Sequence, residues 1–371
     1  MLEKFSVKGF KNFETILTLD FSDVHNYEFN ECAVENNIVK DAVVYGPNSS
    51  GKSNLGYAIF DIIILLTDKM RNISKYMPYV NLYAETNMVE FNYLFKFSNN
   101  KLEYRCVKTA PEILLAESIK INGNEVISWT AEDGVVELSL PGAENLNLSL
   151  YDGKISFAKY VYRNTSLDKN NETVKVFYSF FDFIDRMLLF KSLHQNEYIG
   201  FTNGSGSIAE RIISNGKLDE FQSFLKKYGI DYQLKASADK QNILCVFPKG
   251  EYDFFKIAST GTASLALYFF WVSNIEQVSL LFIDEYDAFY HFDISKMIVN
   301  TLKKYPHIQC ILTTHNTDLL SNDILRPDCY FILNQGEIKS LPNCTNKELR
   351  LVHNLQKLYK AGAFNHDSDN L

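Results

Sequence analysis

The chain of 371 residues is too long for one ordinary core and short for three, so one large domain with an insertion, or two domains, is expected. Hydrophobic residues make up 46% and charged residues 22%, ordinary values for a soluble globular protein. The formal net charge of -8 leaves no broad basic face for nonspecific nucleic-acid binding; a local basic stripe would still allow DNA or RNA contact, but the charge does not point to it.

Residues 2–21, "LEKFSVKGFKNFETILTLDF", alternate apolar and polar residues around Gly9 and Asn12, the period of a half-buried strand pair. "MLEKFSVKGF" holds no long apolar run and no signal peptide is expected. "DAVVYG" (41–46) predicts a short buried strand, and the pattern Leu55, Ile59, Ile62, Ile63, Leu66 predicts a helix from Ser53. The apolar run "AIFDIIILLT" is too short for a bilayer and carries Asp61, so no membrane association and a cytoplasmic location are expected.

Residues 88–163 read as antiparallel strands, with turns at "SNN" and "NGN". Residues 172–193 predict a helix dense in aromatics, "GFTNGSGS" a flexible break, and "GKLDEFQSFLKKYG" a second, amphipathic helix. "YQLKAS", "NILCVFP" and "YDFFKIAS" read as strands. Beyond them strands and helices alternate: a helix from near Thr262, the strand "SLLFID", a helix over 293–304, then the strands "IQCILTT" and "CYFIL". Such alternation argues for a parallel sheet with helices on its faces. The cysteines form no C-x-x-C pair, and most sit in apolar surroundings as buried reduced thiols.

Four motifs carry chemistry. "GPNSSGKS" fits G-x-x-x-x-G-K-[ST] at Gly46, Gly51, Lys52 and Ser53, between a predicted strand and a predicted helix. Its glycines let backbone amides wrap phosphate oxygens, Lys52 would reach the β and γ phosphates, and Ser53 would ligate Mg²⁺. In "LLFIDEYD", Asp284 ends a buried strand where it can hold the metal through water, and Glu285 can orient and partly deprotonate the attacking water. In "LTTHNTDLL", His315 follows a strand end, where an imidazole can sense the γ phosphate; Asn316 and Thr317 read better as helix caps. In "IASTGTASLALYFF", Ser259, Thr260, Gly261 and Thr262 precede an apolar helical run; by spacing alone a plain N-cap is the better reading than a second anion site.

Together and in this order the four pieces resemble the ABC/SMC/RecF class of ATPases. "LEKFSVKGFKNF" is similar to that class's N-terminal strand pair, "GPNSSGKSN" (Gly46, Pro47, Asn48, Ser49, Ser50, Gly51, Lys52, Ser53, Asn54) to its Walker A, and Ala258 with "STGT" to its signature loop. "LLFIDEYDAFYH" resembles the Walker B and D-loop of small ATPases in bacterial phage-defence modules, of the abortive-infection kind or OLD-like without the nuclease. "ILTTHN", "LRPDCYFIL" and "LQKLYKAGAF" resemble later segments of the same group.

The resemblance implies an α/β fold, a P-loop NTPase of ABC-ATPase type with a mixed sheet, an antiparallel β subdomain and a helical insertion. Expected divisions are a split head over 1–165 and 232–345, the insertion at 166–231 and a tail at 346–371. It implies ATP and Mg²⁺ as ligands, a head-to-tail dimer in which Ser259, Thr260, Gly261 and Thr262 act in trans, and Asp287 near the dimer seam. It also implies a separate effector protein, a nuclease or toxin. A Q-loop glutamine does not stand out: Gln195 and Gln222 lie in stretches that read as helices. No long coiled coil and no appended nuclease are expected. "NKEL" puts Leu349 where a guanine-reading Asp would stand, so ATP is favoured over GTP. Competing readings are a RecF/SMC-like DNA-repair ATPase, disfavoured by the acidic charge, and a module that binds ATP without turnover, disfavoured by the set Lys52, Asp284 and Glu285.

Overall fold

The computed structural model describes residues 1–69, 73–191, 197–200, 207–273, 275–288 and 292–364. Among the described residues, two seven-stranded sheets form the frame. In spatial order, the first runs Gly134–Leu138, Asn124–Thr130, Ile113–Ile121, Asn100–Ala110, Val89–Phe97, Leu2–Lys8 and Leu17–Asp20, with every neighbour antiparallel. The second runs Glu197–Gly200, Leu188–Lys191, Leu280–Asp284, Gln309–Thr314, Asp41–Tyr45, Tyr330–Asn334 and Glu337–Ser340. Its five inner strands are parallel and its two edges antiparallel. Parallel strands buried on both faces carry continuous apolar runs, which is why "LLFI" and "CILTT" show no alternation.

The two sheets are joined through the helix that follows the phosphate loop. Lys52–Phe60 packs so closely on the second sheet that a Cβ on Gly56 would stand 2.7 Å from the Phe282 ring. Asp61 then interrupts the helix, and Ile62–Leu66 resumes it. Its carboxylate meets the Lys108 ammonium of the first sheet at 2.6 Å, with both side chains fully buried, and accepts from the Tyr79 hydroxyl at 3.0 Å. Burial lifts the Asp61 carboxyl, and Lys108 pulls it back. A buried pair of this kind is costly to break singly, since either survivor is left charged without a partner.

Four readings from the sequence need correction. Phe157–Asn164 is a helix, not a strand: the Ser156 hydroxyl caps it by accepting the Lys159 N–H, and Phe157, Tyr160 and Val161 sit at helical spacing. The aromatic helix stops at Asp185, and Leu188–Lys191 is a strand of the central sheet, parallel to Leu280–Asp284. All four of its residues are buried, so it lacks the alternation that would have marked it as a strand. The stretch 166–231, expected to be a helical insertion, therefore contains part of the sheet that carries the site. "YDFFKIAS" is strand only to Asp253, whose side chain caps the short helix Phe254–Ile257. The single helix expected from Ser53 to Leu66 is broken at Asp61. The break expected at "GFTNGSGS" lies largely outside the described residues. Among the described residues, no helix is long and apolar enough to cross a membrane.

Candidate nucleotide site

The phosphate loop rises from the carboxyl end of Asp41–Tyr45 and enters Lys52–Phe60. Gly46 and Gly51 are required by space and by backbone. A Cβ on Gly46 would lie 2.4 Å from the Leu333 carbonyl oxygen, and Gly51 has φ of 106°. Asn12, in the turn between the first two strands, braces the loop: its amide donates to the Ser50 carbonyl at 3.2 Å and its oxygen accepts from Asn54 at 2.7 Å. The Lys52 ammonium lies across the loop, donating to the carbonyls of Gly46 at 2.9 Å and Pro47 at 3.1 Å. Burial lowers its pKa, against the pull of Glu285 and Asp284.

Asp284 is where the separate motifs converge. Its Oδ2 accepts from the Ser53 hydroxyl at 2.6 Å, and its Oδ1 from the Thr313 hydroxyl at 2.8 Å. Thr313 Oγ1 in turn accepts the Glu285 N–H at 2.8 Å. That bond holds Glu285 in a left-handed backbone conformation, φ 51°, which a residue with a Cβ adopts only when its surroundings impose it. His315 Nδ1 accepts from Lys52 at 3.4 Å, which leaves Nε2 facing Glu285 Oε1 at 3.7 Å.

The residues gathered here suit a nucleotide and Mg²⁺ by their own chemistry. Hydroxyl and carboxylate oxygens are the donors this hard cation takes. The backbone cradle at Gly46 would be filled by any Cβ. Among the described residues, the buried Ser50 hydroxyl has no hydrogen-bond partner, an acceptor-seeking group inside the loop. Ser53 and Asp284 are the residues that would hold the metal.

Of the residues singled out in the sequence, the phosphate loop, Asp284, Glu285 and His315 thus come together. The signature residues do not share this network. Ser259 accepts the Thr262 N–H at 3.2 Å and its hydroxyl meets that of Thr262 at 3.0 Å, capping the helix Thr260–Val272. The Asp287 carboxylate takes hydrogen bonds from Thr314 and Asn316, with burial raising its pKa. Residues 289–291 of the expected D-loop and Gln195 lie outside the described residues. Gln222 accepts the Leu234 N–H at 2.6 Å, which gives it a structural use.

Sequence reasoning missed Lys191 and the roles of Asn12 and Thr313. Lys191 ends a strand in register with Asp284, and its ammonium stands 3.4 Å from Asp284 Oδ2 and 4.5 Å from the Tyr57 ring centre. The helix reading of 172–193 hid it. Thr313 was visible in "LTTH", but nothing in that motif announces which way the hydroxyl points.

Residues 249–321 match a family model described as "AAA domain, putative AbiEii toxin, Type IV TA system". No curated protein sequence matches the chain. The chain is similar to the solved "SMC head domain from Thermotoga maritima", at 15% identity over 91% of this chain and 98% of that one, with a TM-score of 0.43. It is similar to an Smc head domain with an extended coiled coil bound to the C-terminal domain of ScpA, derived from Pyrococcus furiosus, at 13% identity over 92% and 97% of the two chains, TM-score 0.45. It is also similar to the recombination mediator protein RecF with ATP, at 18% identity over 92% and 99%, TM-score 0.41. The architecture itself is mixed α/β, with the glycine-rich loop set between a buried parallel strand and a helix.

Proposed function

We propose that this protein binds ATP with Mg²⁺ and hydrolyses it, as a head-to-tail dimer. The observation that carries this reading is the Ser53–Asp284–Thr313–Glu285 chain of hydrogen bonds, which ties the phosphate loop to the acidic pair. Lys52 exchanges the Gly46 and Pro47 carbonyls for phosphate oxygens, and the loop amides surround the same charge. Glu285 accepts the proton of the attacking water, and His315 takes its position from Lys52 on one nitrogen and faces Glu285 with the other. Mg²⁺, when bound, neutralises charge that develops on the transferring phosphoryl group.

The dimer would bring Ser259 and Gly261 of one subunit over the nucleotide of the other. That residue pair lies at a helix start, where free amides favour an anion. We further propose that hydrolysis controls a separate effector, a nuclease or toxin, in bacterial antiphage defence. What supports the setting is the description of the matching family model, which names a toxin and a type IV toxin–antitoxin system. The test is phosphate release by the purified chain with Mg²⁺ and ATP, alongside its mass in solution with and without ATP. No phosphate release under any condition, with ATP still bound, would reduce the protein to a binding module. A monomer at all ATP concentrations would remove the dimer.

A further inference from the structure

We propose that Lys191 is a positioning residue that competes with the metal for Asp284 and lowers the metal requirement of nucleotide binding. The inference rests on the nucleotide reading above and deepens it. Lys191 is 7% exposed, and a buried ammonium needs a partner. It finds one in Asp284 Oδ2 at 3.4 Å, the same oxygen that accepts the Ser53 hydroxyl at 2.6 Å. A cation held by Ser53 and Asp284 must use that oxygen. Two cations therefore share one acceptor, and each weakens the hold of the other.

The surroundings fix Lys191 rather than letting it swing into solvent. Its strand lies in register with Leu280–Asp284, which places Lys191 opposite Asp284. Tyr57, one turn beyond Ser53 on the same helix, offers its ring at 4.5 Å. Lys11 shares the Tyr57 ring at 5.6 Å and has its own pKa lowered by burial and then by Lys191. A residue with this placement does two things. Where metal is absent, it cancels the Asp284 charge that would otherwise repel the polyphosphate. Where metal is present, its contribution is largely redundant. The positive charge at this corner is thus supplied twice, once by the chain and once by the cation.

The test is a thermodynamic cycle on the full chain. The dissociation constant of a fluorescent ATP analogue is measured with excess Mg²⁺ and with EDTA, and the ratio of the two is compared between wild type, Lys191→Met, Lys191→Gln and Lys191→Arg. The ratio should rise about tenfold or more in Lys191→Met and Lys191→Gln, through weaker binding in EDTA, and stay at the wild-type value in Lys191→Arg. A merely structural lysine would shift both constants together and leave the ratio alone. Should Lys191→Met fold poorly, Lys191→Gln, which can still donate to Asp284, carries the comparison. Ratios unchanged or lowered in the neutral variants overturn the proposal while leaving the nucleotide site standing. A wild type that binds the analogue in neither condition overturns both.

Discussion

The Thr313 hydroxyl donates to Oδ1 of Asp284 at 2.8 Å, while the same hydroxyl oxygen receives the Glu285 N–H. One small side chain therefore aims the Asp284 carboxylate and pins the backbone of the acid beside it. Thr313→Val keeps the shape and removes both bonds. Each buried group left unpaired costs about 1–3 kcal/mol. We expect a lower melting temperature, turnover reduced by about tenfold or more, and ATP affinity nearly unchanged, with Thr313→Ser restoring turnover. Wild-type phosphate release by the valine variant would show that Thr313 does not position Glu285.

Glu285 itself is tested by its amide. Glu285→Gln keeps the size and the backbone bond to Thr313 but cannot accept the water's proton. ATP and Mg²⁺ should bind as before, with hydrolysis slower by about 10²-fold or more. A single-turnover rate close to wild type would reject Glu285 as the base.

The composite site is tested by mixing subunits. Lys52→Ala loses a charge-assisted contact worth about 1.5–3 kcal/mol and should lose most of the thermal stabilisation by ATP. Gly261→Glu should keep it, since the variant's own phosphate loop is intact. An acid in the first turn of Thr260–Val272 also suits that helix end, so the fold should survive. Each variant alone should be inactive, whereas mixtures should regain part of the ATPase rate, because a mixed dimer pairs an intact loop with an intact signature. Mixtures that exchange subunits and stay inactive at every ratio would show that the two motifs do not meet across an interface.

Lys11 makes stability depend on pH. Burial, then the charge of Lys191, lowers its pKa from the ordinary 10.5 to about 8. In the folded protein it loses its proton before the unfolded chain does. Between those two values the unfolded state binds more protons, so this group's contribution to stability rises with pH, and its full cost is present below about 8. The cost is at most about 3 kcal/mol at 1.36 per unit, and less because the side chain stays partly in water. Lys11→Met should therefore melt higher than wild type near neutrality, with the gap closing towards pH 10. A gap that is constant across that range would exclude the effect.

The phosphate loop, Asp284, Glu285 and His315 were legible because each sits in a short motif whose spacing is set by one turn of chain. The strand pair at the start and the antiparallel meander were legible because they alternate. Leu188–Lys191 was not, since a strand covered on both faces has no period of two and here continues an aromatic helix without a glycine or proline between. Lys191 was lost with it. Asp61 was noticed only as a charge that spoils a membrane span; that it ends one helix and reaches Lys108 depends on a sheet that no local pattern brings near. Thr313 and Asn12 serve through hydrogen-bond direction, which spacing does not encode.

The central sheet also sets an order of events during synthesis. Asp41–Tyr45 lies between Gln309–Thr314 and Tyr330–Asn334, and 231 residues separate Ser53 from Asp284. The Gln309 side chain clasps both the N–H and the carbonyl of Leu2, 307 residues away. A ribosome delivers the chain from its first residue, so the phosphate-loop strand emerges long before either neighbour exists. Until then it is an apolar strand with both hydrogen-bonding edges bare, the kind of segment that invites association with other chains. Pairings of this range also close slowly. The contact between Ser53 and Asp284 forms only after Asp284 has left the ribosome, and a nascent chain broken off before Gln309 carries its phosphate-loop strand with neither neighbour.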